Sequence, residues 1–137
     1  MLVHYKTPGA VGGWTLLFDE AAGDANEKFN PTFRDAIMKV AGYGAANELK
    51  IPLSNTSCQL PFKWSQNYAT AEAAAAGIAT VRAAFKGLTK HIRCKTDATL
   101  LFFPNAVLAG SSHDQHGREV LHQLNFETDD VTTTEPT

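Results

Sequence analysis

The sequence predicts an α+β domain: a mostly antiparallel β-sandwich or barrel flanked by one long helix (about 71–86) and one short helix (about 31–41). Three observations lead there. An alanine-rich stretch with helical caps at both ends sits mid-chain, "ATAEAAAAGIATVRAAFKG". On either side of it, "CQLPFKWSQNY" and "REVLHQLNFE" alternate apolar and polar residues with the period of a half-buried strand. Between them "LLFFPNAVLAG" opens with residues apolar on both faces, the pattern of a strand covered on both sides.

The helix is read from its ends inward. Thr70 is a natural N-cap, and Glu72 in the first turn suits the positive end of the helix dipole. Ile78, Val81, Phe85 and Leu88 fall on one stripe at helical spacing. Gly87, just after Lys86, stands where a left-handed C-cap belongs. Gly77 costs such a helix about 1 kcal/mol relative to alanine, which close packing against a sheet would explain. No strand with a G-x-G-x-x-G turn precedes the run, so it packs rather than binding a cofactor.

The strands follow in order. "VHYK" and "GWTLLFDE" read as two short strands around the flexible turn "TPGAVGG". "AAGDANEKFNP" reads as a loop or insertion. In "NPTFRDAIMKVAGYG" Asn30 caps and Pro31 takes the first helical position. Phe33, Ile37 and Val40 then make a stripe, and Gly42 or Gly44 ends the short helix. "ELKIPLSN" is a further strand weakened by Pro52. In the next, Leu60, Phe62, Trp64 and Tyr68 share one face, and Pro61 marks an edge. "KHIRCK" sets Ile92 and Cys94 against Arg93 and Lys95, and "TDAT" turns into Leu100–Phe103, where Pro104 implies a bulge. The final strand carries Val120, Leu124 and Phe126 on one face, against Glu119, Gln123, Asn125 and Glu127, and completes a meander. Residues 1–127 make one domain, followed by a polar tail, 128–137, whose composition alone would leave it disordered. Order in that tail, and in "TPGAVGGW", is expected to come from lying along a neighbouring subunit's sheet edge.

Composition narrows the function classes. The 137 residues suffice for a single core, with 44% apolar and 19% charged residues. A net charge of −2 lacks the basic excess of a nucleic-acid binder. No apolar run is long enough to cross a bilayer, and the N-terminal stretch lacks the basic head and apolar block of a secretory signal. Cys58 and Cys94 could form a bridge, but are expected as buried thiols in two separate strands, in a chain folded under reducing conditions.

The segment "HDQHGREVLH", residues 113–122, holds three of the five histidines. Read as a Gly- and Ser-rich connection followed by a strand, it puts His113 and His116 in a loop. His122 then lies ~15 Å of extended chain away at about 3.3 Å per residue. His4 and His91 lie on unrelated segments, so no third zinc ligand is expected and no metal site is assigned. Nor is a catalytic pattern present: the chain has no G-x-S-x-G, no P-loop and no H-E-x-x-H. Cys58 with His91 suits a buried thiol better than a nucleophile. Asp19–Glu20 and Asp129–Asp130 are sequence neighbours that a strand would point to opposite faces. Trp14 and Trp64 read as core or interface anchors. No catalytic, cofactor-binding or metal residue is assigned.

One resemblance does emerge, over residues 62–127. The stretch "FKWSQNYATAEAAAAGIATVRAAFKG" followed by "LLFFPNAVLAGSSHDQHGREVLHQLNFETDD" resembles small tail proteins of bacteriophages and prophages. The shared features are a strand ending in aromatics, a helix after a Thr cap, the segment Asn105–Leu108, then Gly117, Val120 and Phe126. The resemblance implies a structural subunit of a phage-like particle with a tail-tube-like fold. It also implies self-association into rings or stacked oligomers beside other virion proteins. Such proteins have no catalytic residues or cofactors to carry over. Two other classes stay open at this point, a small partner-binding module and a histidine-dependent metal enzyme.

Overall fold

The computed structural model describes residues 1–9, 12–19, 25–26, 30–41, 48–96 and 98–137. Among them the chain runs β1 (Leu2–Lys6), β2 (Thr15–Asp19), β3 (Ala25–Asn26), β4 (Thr32–Ala41), β5 (Glu48–Asn67), α1 (Ala71–Phe85), β6 (Thr89–Lys95), β7 (Leu100–His116) and β8 (Glu119–Asp129). Every pairing is antiparallel, in the order β2-β1-β6-β7-β8-β5-β3, with β4 also paired to β5. The α+β class and the β6-β7-β8 meander expected from the sequence are therefore present.

The sheet is rolled. Phe18 of β2, at one end of the strand order, stacks on Trp64 of β5 near the other, with ring centroids 4.7 Å apart. Phe62, Phe85, Phe103 and Phe126 fill the space between with less than a few per cent exposure. The alternation explains why: Leu60, Phe62 and Trp64 of β5 meet Phe126, Leu124 and His122 of β8 in register on the inner face. Burying each such apolar side chain stabilises the fold by about 1.5–3 kcal/mol.

Helix α1 closes this core. The Thr70 hydroxyl accepts from the Ala73 N–H, Lys86 N–H donates to the Arg82 carbonyl, and Gly87 takes φ +69°. Ala74 and Phe85 are buried, whereas Leu88 lies past the helix end and is exposed. Gly77 sits against Tyr68 so closely that an added Cβ would lie 2.5 Å from its ring, which explains the glycine. At the Pro104 bulge, Pro104 and Asn105 oppose His91 alone. Asn105 adopts φ +53°, and its N–H donates to His91 Nδ1 at 3.1 Å.

One expected element is different. Residues 31–41 do not form a helix: Thr32–Ala41 is strand β4, paired with β5 from Thr32 opposite Gln59 to Ala41 opposite Glu48. Its apolar residues keep no period of two because Phe33, Ile37 and Met38 are all exposed and face no core; the ladder also shifts, one residue of β4 (Ala36) facing three of β5 (Leu53, Ser54 and Asn55). The spacing Phe33, Ile37, Val40 thus imitates a helical stripe. "ELKIPLSN" is the first part of β5, which runs unbroken through Pro52 and Pro61. Pro61 falls between the β4 ladder, ending at Gln59, and the β3 ladder, starting at Trp64, so that edge of β5 carries no partner there among the described residues. The expected terminators Gly42 and Gly44 lie outside the described residues, as does most of "AAGDANEKFNP".

Candidate assembly surface, histidine cluster and strap

The first candidate site is the outer part of the β4–β5 hairpin. From Ser57 onward β5 pairs with β8, but before it, among the described residues, β5 pairs with β4 alone. Asp35–Ala41 and Glu48–Thr56 therefore form a two-stranded arm. Four apolar side chains at or near it lie open: Phe33 (41% exposed), Ile37 (49%), Met38 (45%) and Leu53 (44%). A two-stranded hairpin is marginal in water by itself, and clustered exposed apolar residues mark an interaction surface. Lys39 and Lys50 are directly opposed, both exposed, an arrangement that repels within one chain. The geometry suits burial against a partner.

The second candidate is the histidine cluster, and here the sequence reading is corrected. β7 continues to His116 and β8 begins at Glu119, so the expected long connection is the two-residue turn Gly117–Arg118. His113 thus lies in the strand, opposite His122, with their Nδ1 atoms 2.7 Å apart. His122 Nε2 meets the Tyr68 hydroxyl at 2.9 Å, and its ring stacks on Trp64 at 4.9 Å. Burial holds His122 down at about 4, with the neighbouring His113 adding to the effect. His113 is lowered too, by burial first and the Arg82 guanidinium second. His116 is exposed and pairs with Asp114 at 3.1 Å.

What can this cluster do chemically? The Nδ1–Nδ1 contact uses one proton and one lone pair, and Tyr68 occupies His122 Nε2. His113 Nε2 is buried without a partner. Among the described residues no group of three His, Cys, Asp or Glu side chains is placed to hold a metal ion. The arrangement fastens the entry to α1 onto the β7–β8 hairpin. Tyr68 N–H donates to the Arg118 carbonyl, and Gln115 Nε2 donates to the Ala71 carbonyl.

The remaining sequence candidates do not converge. Cys58 and Cys94 are buried free thiols in β5 and β6, and burial raises both. His91 is engaged by Asn105 and by the Thr137 carbonyl. Asp19 ends β2, and Glu20 lies outside the described residues. Asp129 accepts from Asn105 Nδ2 at 2.7 Å, while Asp130 accepts from the Val131 N–H. Trp64 is fully buried core.

A third site escaped sequence reasoning. Val131–Thr137 runs back over the chain's own sheet as a strap. Phe102 and Thr132 exchange two backbone hydrogen bonds, at 2.8 and 2.9 Å. Glu135 accepts from Trp14 Nε1 at 2.9 Å and pairs with Lys6 Nζ at 3.4 Å, and these two donors hold its carboxyl below the usual range. Lys6 and Arg93 both lie 4.8 Å from the Trp14 ring centre. The only hint in the sequence was the charge sign, an acidic tail against "HYK" and "KHIRCK".

No family model and no curated protein sequence matches the chain. Among solved structures, a chain in the tail of an empty GTA particle, obtained by helical refinement with C6 symmetry, superposes with a TM-score of 0.60 at 11% identity. That match covers 98% of this chain and 95% of the other. A chain in the 6-fold symmetrised cryo-EM structure of the anti-feeding prophage (AFP) baseplate gives a TM-score of 0.54 at 9% identity, covering 96% and 89%. The likeness seen over residues 62–127 thus extends, at the level of architecture, to nearly the whole length. This chain has the fold of subunits found in a phage-like tail and in a prophage baseplate.

Proposed function

We propose that the chain is a structural subunit of a phage or phage-like particle, in its tail or tube, that associates with copies of itself into rings or stacked oligomers and contacts other virion proteins. The observation that carries this reading is the β4–β5 arm, which leaves Phe33, Ile37, Met38 and Leu53 without a cover, on a fold shared with subunits of two six-fold assemblies. An arm at one place and its seat at another make a heterologous contact, which closes into a ring or continues as a filament. The subunit works by fitting neighbours, with no catalytic step, bound metal or cofactor assigned to it. It acts in the assembled particle, and neither a bilayer nor a particular nucleic-acid sequence is among its partners in this reading.

The test is the oligomeric state of purified protein by light scattering and negative-stain microscopy. Wild type is expected to form rings or tubes as concentration rises. Ile37→Asp with Met38→Asp is expected to stay monomeric with an unchanged circular dichroism spectrum. A wild-type chain that is monomeric at every concentration overturns the reading and favours a partner-binding module.

A further inference from the structure

The outer face of β1 and β6 has an unusual composition. His4 is opposite Arg93 and Lys6 opposite His91 in the β1–β6 ladder, while Arg93 is also opposite Phe102 of β7. By strand alternation these side chains point away from the core occupied by Val3, Ile92 and Cys94. Yet Lys6 is 2%, His91 3% and Phe102 4% exposed. The strap and Trp14 cover them. Glu135 lies on Lys6, Thr137 on His91 and Thr132 on Phe102, and the Trp14 ring lies 5.8 Å from that of Phe102. Arg93 Nε and His4 Nδ1 are buried there without hydrogen-bond partners among the described residues.

The strap follows the register of the strand it leaves. Glu127 is opposite Val107, and Thr132 is opposite Phe102, so both ends of the break advance five residues along β7 and β8 alike. Between them Thr128 and Asp129 pair instead with Cys58 and Ser57 of β5. Asp130 and Val131 make the crossing. The strap is therefore a detached piece of β8 that covers the edge of β7 at Phe102, where β7 would otherwise offer unpaired backbone groups. On the other side, Trp14 follows Gly12 and Gly13, both at positive φ, which turns the chain so that the ring lies over Phe102.

We propose that this face is a receptor for an extended segment carrying one carboxylate, filled within one subunit by its own residues Val131–Thr137 and, in the assembled particle, by the same segment of a second copy. The proposal rests on the assembly reading above. The contacts are the same in either arrangement, so exchange loses none of them, and the choice is set by the crossing at Asp130–Val131 and by the local concentration of neighbouring straps. Charge supplies the address: Lys6 and Arg93 with the Trp14 ring on the seat, Glu135 on the strap.

A charge swap divided between two chains tests it. Lys6→Glu alone and Glu135→Lys alone each place like charges together in every seat, and each is expected to need a roughly tenfold higher concentration to assemble. Mixed in equal amounts, the Lys6→Glu seat meets the Glu135→Lys strap, and assembly is expected to return towards wild type. No improvement on mixing overturns the exchange. Should Lys6→Glu fail to fold by circular dichroism, one introduced cysteine per chain decides, in a Cys58→Ala, Cys94→Ala background: Phe102→Cys and Thr132→Cys, made separately and assembled together under mild oxidation, are expected to form a disulfide-linked pair of chains. Its absence from assembled particles also overturns the exchange. Wild type that never assembles overturns the underlying reading instead, so the two failures are distinguishable.

Discussion

His113 and His122 face each other across the β7–β8 hairpin with their Nδ1 atoms 2.7 Å apart, and Tyr68 closes the far side of His122 at 2.9 Å. This chain of two imidazoles and a phenol works only while at least one imidazole is neutral, because two imidazolium rings would turn their two Nδ1–H donors on one another with no lone pair to accept. The same Tyr68 ring is pressed against Gly77 of α1. Proton state and helix docking therefore meet in one place.

The first expected outcome is acid lability. An unfolded histidine titrates near 6.5 and His122 in the fold near 4, so the unfolded chain takes up this proton first as pH falls. The contribution of His122 is complete above pH 6.5 and is lost progressively down to pH 4, amounting to about 3 kcal/mol. His113 adds in the same direction. Urea midpoints measured from pH 7 to pH 4 are expected to fall steeply for wild type and more gently for His122→Gln. Parallel slopes for the two proteins would sink this account.

The second concerns the two histidines that the sequence reading treated alike. His116→Ala touches only an exposed pair with Asp114 and is expected to change stability by no more than about 0.5 kcal/mol. His113→Ala leaves His122 Nδ1 buried without its partner and is expected to cost about 1–3 kcal/mol. Denaturant titration of the two single variants checks the contrast, and equal effects refute it. Elemental analysis of purified wild type is expected to find no stoichiometric zinc; tight one-to-one metal would restore the catalytic reading set aside above.

The histidines and the arm also mark where the sequence was legible. In three of the strands that face the core, alternation located the buried side: Leu60, Phe62 and Trp64 in β5, Ile92 and Cys94 in β6, and Val120, Leu124 and Phe126 in β8 are all buried. The same alternation, carried to His122, puts it on the inner face, but the Gly- and Ser-rich "GSSHDQHG" suggested a loop and hid its strand partner. β4 failed for the opposite reason. It has no core to face, so nothing within the subunit enforces a period of two on Phe33, Ile37 and Met38, and the spacing drifted into a helical guise. The strap was illegible because one backbone bridge, one carboxylate and the Thr137 carbonyl on His91 hold it, and none of them leaves a periodic trace.

The third expected outcome separates helix propensity from packing at Gly77. Alanine is the better helix former by about 1 kcal/mol, so Gly77→Ala in an open helix would stabilise. Here the new Cβ would lie 2.5 Å from Cε1, Cζ and Oη of Tyr68. The ring end of a tyrosine can ordinarily swing aside, but this one is anchored by His122 Nε2 at its hydroxyl and by the Arg118 carbonyl at its backbone N–H. Displacing it breaks the histidine chain, and overpacking of this kind costs about 1–3 kcal/mol. Gly77→Ala is therefore expected to destabilise the wild-type background by up to about 2 kcal/mol net. In a Tyr68→Ala background the obstacle is gone, and the same substitution is expected to stabilise by up to about 1 kcal/mol. Urea midpoints of the four proteins of this cycle measure the coupling. If Gly77→Ala has the same sign in both backgrounds, the glycine is there for some reason other than the tyrosine, and the link between helix docking and the histidine pair is lost with it.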